Sequence, residues 1–462
     1  MAATTRPRIR IAAEPPQRGF TSRAADVFSF ILGFATLFSV HFIGDLYLAE
    51  ILLAISLPIL LTMRGKRVFR PELKFVYLLM STWLLGLVIS DVYNHTPLTD
   101  RLRGVALIIF FGFNILGMSV LVGHNEKRKI FFLVGLMLGA LLSVRIQASE
   151  ASQQYPWKFG YAWGTMQLVM LISAYYYRQR RFVTSALLVI GICGVNVIEN
   201  FRSPILQLLV TLALVYPFVP EHLGAIRILP QRQSMRILVL AVLALGAAGL
   251  ADELVKFVTV SGYIGEEAKA KNEAQAKAGN LLLGGRPEFA IGLQAALDRP
   301  IIGHGSWPRD LKYFEMLYDT MVENGAIGYD KNFDLEADGL IPSHSHIVSA
   351  WVWSGIAGLV FWLYTLWFVL QGITQVAIQR PPTAPLYMWF FLSFFWDIFF
   401  SPFAANRRII EAVLIVIIAD VIEKRLNEER LPWKRAGAFR RELPRSNRNT
   451  WRATTGPAQI ID

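Results

Sequence analysis

Apolar segments long enough to cross about 30 Å of hydrocarbon recur along nearly the whole chain, and this recurrence limits the possible folds more than any single motif. They fall near 26–44, 46–63, 74–92, 104–122, 129–147, 160–177, 182–199, 204–220, 235–251, 347–371, 384–402 and 408–423. Inside lipid every backbone N–H and C=O needs a partner within the protein, and a helix supplies it within one segment. Of the 462 residues, 54% are hydrophobic, and the mean hydropathy is +0.42. The expected fold is therefore an all-α polytopic membrane protein of about 12 transmembrane helices.

The net charge of +12 does not point to nucleic acid, because the basic residues come in short clusters between apolar runs. Such clusters mark cytoplasmic membrane loops. They include Arg64–Lys74, Glu126–Lys129, Arg178–Arg181 and Arg227–Arg236. Placing them all inside puts both termini in the cytoplasm. The expected division is a basic arm at 1–25, helices one to nine at 26–251 and a periplasmic loop at 252–343. The last three helices follow at 344–423, then a basic tail at 424–462. No cleavable signal peptide is expected, since the first apolar run is long and has no small-residue cleavage site. The single cysteine, Cys193, lies in an apolar run and reads as a free buried thiol.

The loop at 252–343 is out of scale for a compact membrane protein, and such loops are usually functional. Its Ala/Glu/Lys-rich stretch 266–280 favours a solvated helix. A second helix with one apolar face, carried by Phe289, Ile291, Leu293, Ala296 and Leu297, is expected to start at Pro287. Asp298-Arg299-Pro300 ends it, and Gly303 and Gly305 form a turn.

Four arginines on the expected outer face sit at helix ends or tight turns: Arg202, Arg286 and the pair Arg407–Arg408. A guanidinium fork matches phosphate oxygens in pairs, and helix N-termini add N–H donors, so a diphosphate is a fitting ligand. The alternative for each is an anchor to lipid headgroups. His344 and His346 stand at the threshold of the tenth span, with Ser343 as the expected N-cap. The positive end of the helix dipole disfavours imidazolium there, so His344 is suited to take a proton from a sugar hydroxyl. Positions i and i+2 do not share a helix face, so the two histidines are expected to do different jobs. His304 and the loop carboxylates show no recognisable metal-ligand pattern, so no metal is expected.

An outer-face arginine before a helix, then Pro300-Ile-Ile-Gly303-His-Gly305, then His344 with Gly355 and Gly358, resembles the O-antigen ligase/polymerase superfamily of bacterial envelope glycan assembly. The resemblance covers the topology, with its specific residues confined to about 200–210 and 284–364. It implies transfer of a glycan from an undecaprenyl-diphosphate donor to an acceptor hydroxyl at the periplasmic face of the inner membrane, without cofactor or metal. The acceptor would be lipid A core or another lipid-linked repeat unit. By the same resemblance His344 activates the acceptor, and Arg286 and Arg202 hold the diphosphate. His346, Arg407 and Arg408 are further expected substrate contacts, read from their places at the outer edge. Many members carry Asn where this chain has Ser345. A flippase for lipid-linked oligosaccharides is the rival, and it should place charges at mid-span. Another rival, a C-type glycosyltransferase, needs acidic residues in a large first outer loop, whereas the turn around Gly44-Asp45 is short.

The expected topology is open to labelling. A cysteine placed at Ala278 should react with an impermeant maleimide on intact cells, and reaction only after lysis would reverse the orientation.

Overall fold

Runs of apolar, mostly straight-chain and aromatic residues make the computed structural model almost entirely helical. It describes residues 20–41, 45–64, 70–216, 287–323, 339–403 and 405–430, together with positions 242, 246 and 249. The expected ninth span lies outside these residues apart from those three positions. So do 1–19, 431–462, all of 252–286 including Arg286, and 324–338.

Helix α1 (Phe20–Ala35) leads into a two-stranded hairpin, β1 (Ser39–His41) with β2 (Asp45–Tyr47). Helices α2 (Leu48–Arg64), α3 (Lys74–Tyr93), α4 (Leu98–Leu121) and α5 (Glu126–Ile146) follow. After a short α6 (Glu150–Gln154) come α7 (Ala162–Arg178), α8 (Phe182–Ile198) and α9 (Arg202–Val215). The long loop contributes α10 (Pro287–Asp298) and α11 (Leu311–Glu323). The chain then forms α12 (His346–Ser354), α13 (Ile356–Gln379), α14 (Ala384–Phe400) and α15 (Ala405–Arg430).

Among the described residues, Pro71–Tyr93, Leu98–Leu121, Glu126–Ile146 and Ile356–Gln379 are long and apolar enough to cross a membrane. Four shorter apolar helices accompany them: Leu48–Thr62, Phe182–Ile198, Arg202–Val215 and Ala384–Phe400. Close packing without a water-driven hydrophobic effect needs small residues at the contact. Gly135 and Gly139 supply it between α5 and α1, where an added Cβ would come within 2.1 Å of the Phe30 carbonyl oxygen and 2.4 Å of that of Phe34.

Three expected spans are built differently. The first was expected to run to 44, but its helix stops at Ala35. The chain beyond it pairs with itself, and Ser39 exchanges backbone hydrogen bonds of 3.2 Å with the Gln147 amide at the end of α5. The tenth, expected as one helix over 347–371, is broken at Gly355, whose φ is +60°. The turn between the last two spans was expected at the outer surface. Instead the Phe403 ring packs on Trp83, halfway along α3, and on Phe111 of α4. Ten residues of helix separate Trp83 from Tyr93, so this turn packs roughly 15 Å below the end of α3.

Helix α15 is enclosed, and every residue from Ala412 to Ala419 is apolar and buried. Charged residues flank that stretch, with Arg407, Arg408 and Glu411 at one end and Asp420 at the other.

The break at Gly355 accepts no side chain. An added Cβ would lie 1.9 Å from the Ile301 carbonyl oxygen, and the backbone region it occupies is nearly Gly-only at a cost of about 1–3 kcal/mol. Gly355→Ala should lower unfolding stability in detergent by at least that amount. An unchanged midpoint would mean that the turn and the break do not meet as described.

Candidate functional site

The glycine turn of the long loop docks on the broken helix through backbone atoms. His304 N–H donates to the Val352 carbonyl at 2.7 Å and Gly305 N–H to that of Trp353 at 3.0 Å. Ile356 N–H, freed by the break, donates to the Ile301 carbonyl at 3.2 Å. A helix end leaves such groups without intrahelical partners, and the turn satisfies them. The approach requires glycine on both sides: φ is +83° at Gly303, where a Cβ would meet Gly355 N at 2.6 Å.

From below, the end of α3 holds the same turn. Buried Asp91 accepts from Ser306 N at 2.6 Å and from the Ser306 hydroxyl at 2.9 Å. Asn94 donates to the Gly303 carbonyl at 3.1 Å and accepts from Arg299 at 2.7 Å. The His304 Nε2 lies 2.9 Å from the Ala295 carbonyl oxygen. That oxygen only accepts, so Nε2 carries the proton and donates. Burial lowers the pKa of His304, which keeps the ring neutral. On the loop surface, Asp298 accepts from Lys312, Tyr313 and Gln294 at 2.8, 2.5 and 2.8 Å. These bonds, Lys312 first, hold its carboxyl well below the usual range. The tie is therefore complete above about pH 4 and is lost as pH falls through the depressed value. Burial and the Asp298 carboxylate push the Tyr313 phenol up to about 12.

Beneath the turn lies a cavity of about 190 Å³ lined largely by aromatic and proline side chains. Trp307, Trp353, Trp362, Trp83 and Phe403 dominate it, and Ser343 and Ser349 add hydroxyls. His344 is exposed, between cavity-lining Ser343 and buried Ser345. The N-cap of α12 is Ser345, not Ser343, and its hydroxyl accepts from Val348 N–H at 3.3 Å and donates to the Ile398 carbonyl at 3.0 Å. His344 accordingly precedes the helix instead of opening it.

His346 lies on the cavity wall but is fully buried, and both its ring nitrogens are engaged. Nδ1 donates to the Ser401 carbonyl at 2.6 Å, which leaves Nε2 sharing one proton with Glu411 Oε1 at 2.5 Å. A substrate contact through either nitrogen would have to break one of these bonds. Arg408 places its fork on Glu50, at 2.8 and 2.7 Å, with its guanidinium 5.5 Å from the Phe110 ring centre. Asn114 completes the Glu50 shell at 3.1 Å. Arg407 pairs with Asp397, which also accepts from the Ser401 hydroxyl at 2.6 Å. Arg202 opens α9, where its Nε is 3.4 Å from the Asn200 amide oxygen. Arg286 lies outside the described residues. At the opposite end of α15, His124, Asp420 and Glu423 offer metal-donor atoms within 4.8 Å of one another. Lys129 and Arg70 already sit on Asp420 there.

Several residues that organise this region carried a signal that the sequence reasoning passed over. Asp91, Glu50 and Glu411 are acids inside or beside apolar runs, which marks functional or structural pairing by itself. Arg309 was another: it follows Trp307-Pro308, bridges through its backbone to Leu340, and bonds Asp100 at 2.8 Å with half its side chain exposed.

Fold and site together define a membrane-embedded helical protein with an aromatic cavity under a loop-capped helix break. No protein-family model matches the chain, and no curated protein matches it either.

The Glu50–Arg408 pair sets up a test. Removing one partner of a buried pair costs about 3–5 kcal/mol, whereas an apolar pair of similar volume is often neutral. Arg408→Ala should therefore unfold near that penalty, and Glu50→Leu with Arg408→Met should recover most of it in detergent denaturation. Additive losses in the double variant would show that the two charges do not depend on each other.

Proposed function

We propose that this protein is a glycan polymerase or ligase of the bacterial inner membrane. It transfers a glycan from an undecaprenyl-diphosphate donor to an acceptor hydroxyl at the outer face. The observation that carries the reading is the position of His344, exposed and next in sequence to Ser343, which lines the cavity beside the broken helix. The resemblance of that turn and of the His344–Gly358 stretch to the O-antigen ligase/polymerase superfamily supports it, as does the run of apolar helices. The full reading keeps about 12 spans, a periplasmic loop at 252–343 and cytoplasmic termini.

In this mechanism the acceptor oxygen attacks the anomeric carbon. The bond from that carbon to the diphosphate oxygen breaks, and the lipid diphosphate leaves with the electron pair. His344 takes the acceptor proton. Preorganised cations stabilise the leaving charge. Since Arg408 and Arg407 are bound to Glu50 and Asp397, that role falls to Arg202 and Arg286. Lipid A core and a lipid-linked repeat unit are the two acceptors that fit.

A lipid-linked glycan transporter is the second reading, and one observation favours it. Asn114, which bonds Glu50, lies 14 residues along α4 from Asp100, so the Glu50–Arg408 pair sits roughly 20 Å inside the helix layer. Each charge there is paired, which fits scaffolding as well as transport.

His344→Ala should reduce product by about 10²–10⁴-fold at equal membrane abundance, the usual contribution of a general base. His346→Ala should instead lower abundance, because it leaves Glu411 buried without its partner. Near-normal product from His344→Ala would remove the histidine-base mechanism.

A further inference from the structure

The cavity is more specific than its apolar lining implies. Trp362 is wholly buried, and among the described residues no acceptor serves its indole N–H. The indole N–H of Trp307 is likewise buried without one. Buried donors are nearly always paired, and Trp N–H groups usually find an oxygen. Two such donors on residues that line one cavity call for a ligand that carries oxygen atoms. Among the other lining residues the Ser343 and Ser349 hydroxyls stand 3.1 Å apart, with Ser349 donating to the Ser343 carbonyl at 2.5 Å.

Trp307 and Trp353 lie 5.2 Å apart at 45°, and Trp362 meets Phe403 at 5.1 Å and 73°. Among the described residues no lysine or arginine lines the cavity, and both nitrogens of His346 are bonded to protein. A phosphate would thus find no counter-charge inside. A hydrocarbon chain would match the apolar walls but leave both indole donors unpaired. A sugar ring satisfies both demands. Its C–H face packs on indole, its ring and hydroxyl oxygens accept from indole N–H, and its hydroxyls donate to serine oxygen.

We infer that this cavity is a binding subsite for one pyranose ring, with Trp307 and Trp362 as its hydrogen-bond donors and Ser343 and Ser349 as its hydroxyl partners. On the transferase reading, on which the inference rests, the ring is a sugar of the donor or acceptor glycan beside His344. The diphosphate then lies outside the cavity.

Saturation-transfer NMR on the purified protein in detergent tests this directly. The probes are mono- to trisaccharides of glucose, galactose and N-acetylhexosamine, with farnesol as the hydrocarbon probe. At least one saccharide should show transfer to its ring C–H protons, at an affinity weakened roughly three- to tenfold in Trp307→Phe and in Ser349→Ala. Trp307→Phe keeps an aromatic ring at the position and removes the donor. Thermal unfolding of both variants should match wild type. Absence of any saccharide signal, or farnesol binding that Trp307→Phe leaves unchanged, would overturn the subsite. Failure here with glycan transfer intact would strike the subsite alone. Saccharide binding in a protein that shows no transfer would strike the transferase reading instead.

Discussion

Everything at the candidate site depends on two backbones meeting where neither can carry a side chain. Gly303 and Gly355 face each other closely enough for the turn to donate its N–H groups to the last carbonyls of α12 and to accept one from the start of α13. A helix broken inside an apolar layer would otherwise leave several polar groups unsatisfied, each costing several kcal/mol in lipid. The loop is thereby made part of the membrane helix it covers. That contact also fixes the cavity, since Trp307 follows the turn while Trp353 and Trp362 flank the break.

Charge is handled by pairing throughout the described residues. Around α15 the acids Glu50, Asp397, Glu411 and Asp420 each face a cation or a histidine. Ser401 joins two of these pairs, accepting from His346 through its carbonyl and donating to Asp397 through its hydroxyl. Such pairs are near neutral for stability when intact and expensive when halved. They hold the α14–α15 turn deep in the helix layer, where it forms the cavity floor through Pro402 and Phe403.

The helical class was legible in the sequence because hydrophobic length is a direct consequence of bilayer thickness. Helix α10 and the glycine turn were also legible, through Pro287, the apolar face after it and the Gly303–Gly305 spacing. The break at Gly355 was not, because one glycine in an apolar run reads as a tolerated residue until a partner backbone is known to press on it. The depth of the last turn was hidden for a related reason. Arginines look superficial in sequence, and only the Glu50 carboxylate, 358 positions away, makes burial of Arg408 affordable. Local signals also separated His344 from His346 only in role, while the capping choice of Ser345 over Ser343 decided which of them enters the helix.

Transfer and transport differ in what happens to the carrier lipid, so one measurement separates them. Purified protein reconstituted in liposomes would be given undecaprenyl-diphosphate-linked glycan and acceptor, with chelator present. The account predicts one free undecaprenyl diphosphate released for each new glycosidic bond, with the loss of both in His344→Ala. Movement of intact lipid-linked glycan across the bilayer, with no diphosphate released and no bond formed, would contradict it.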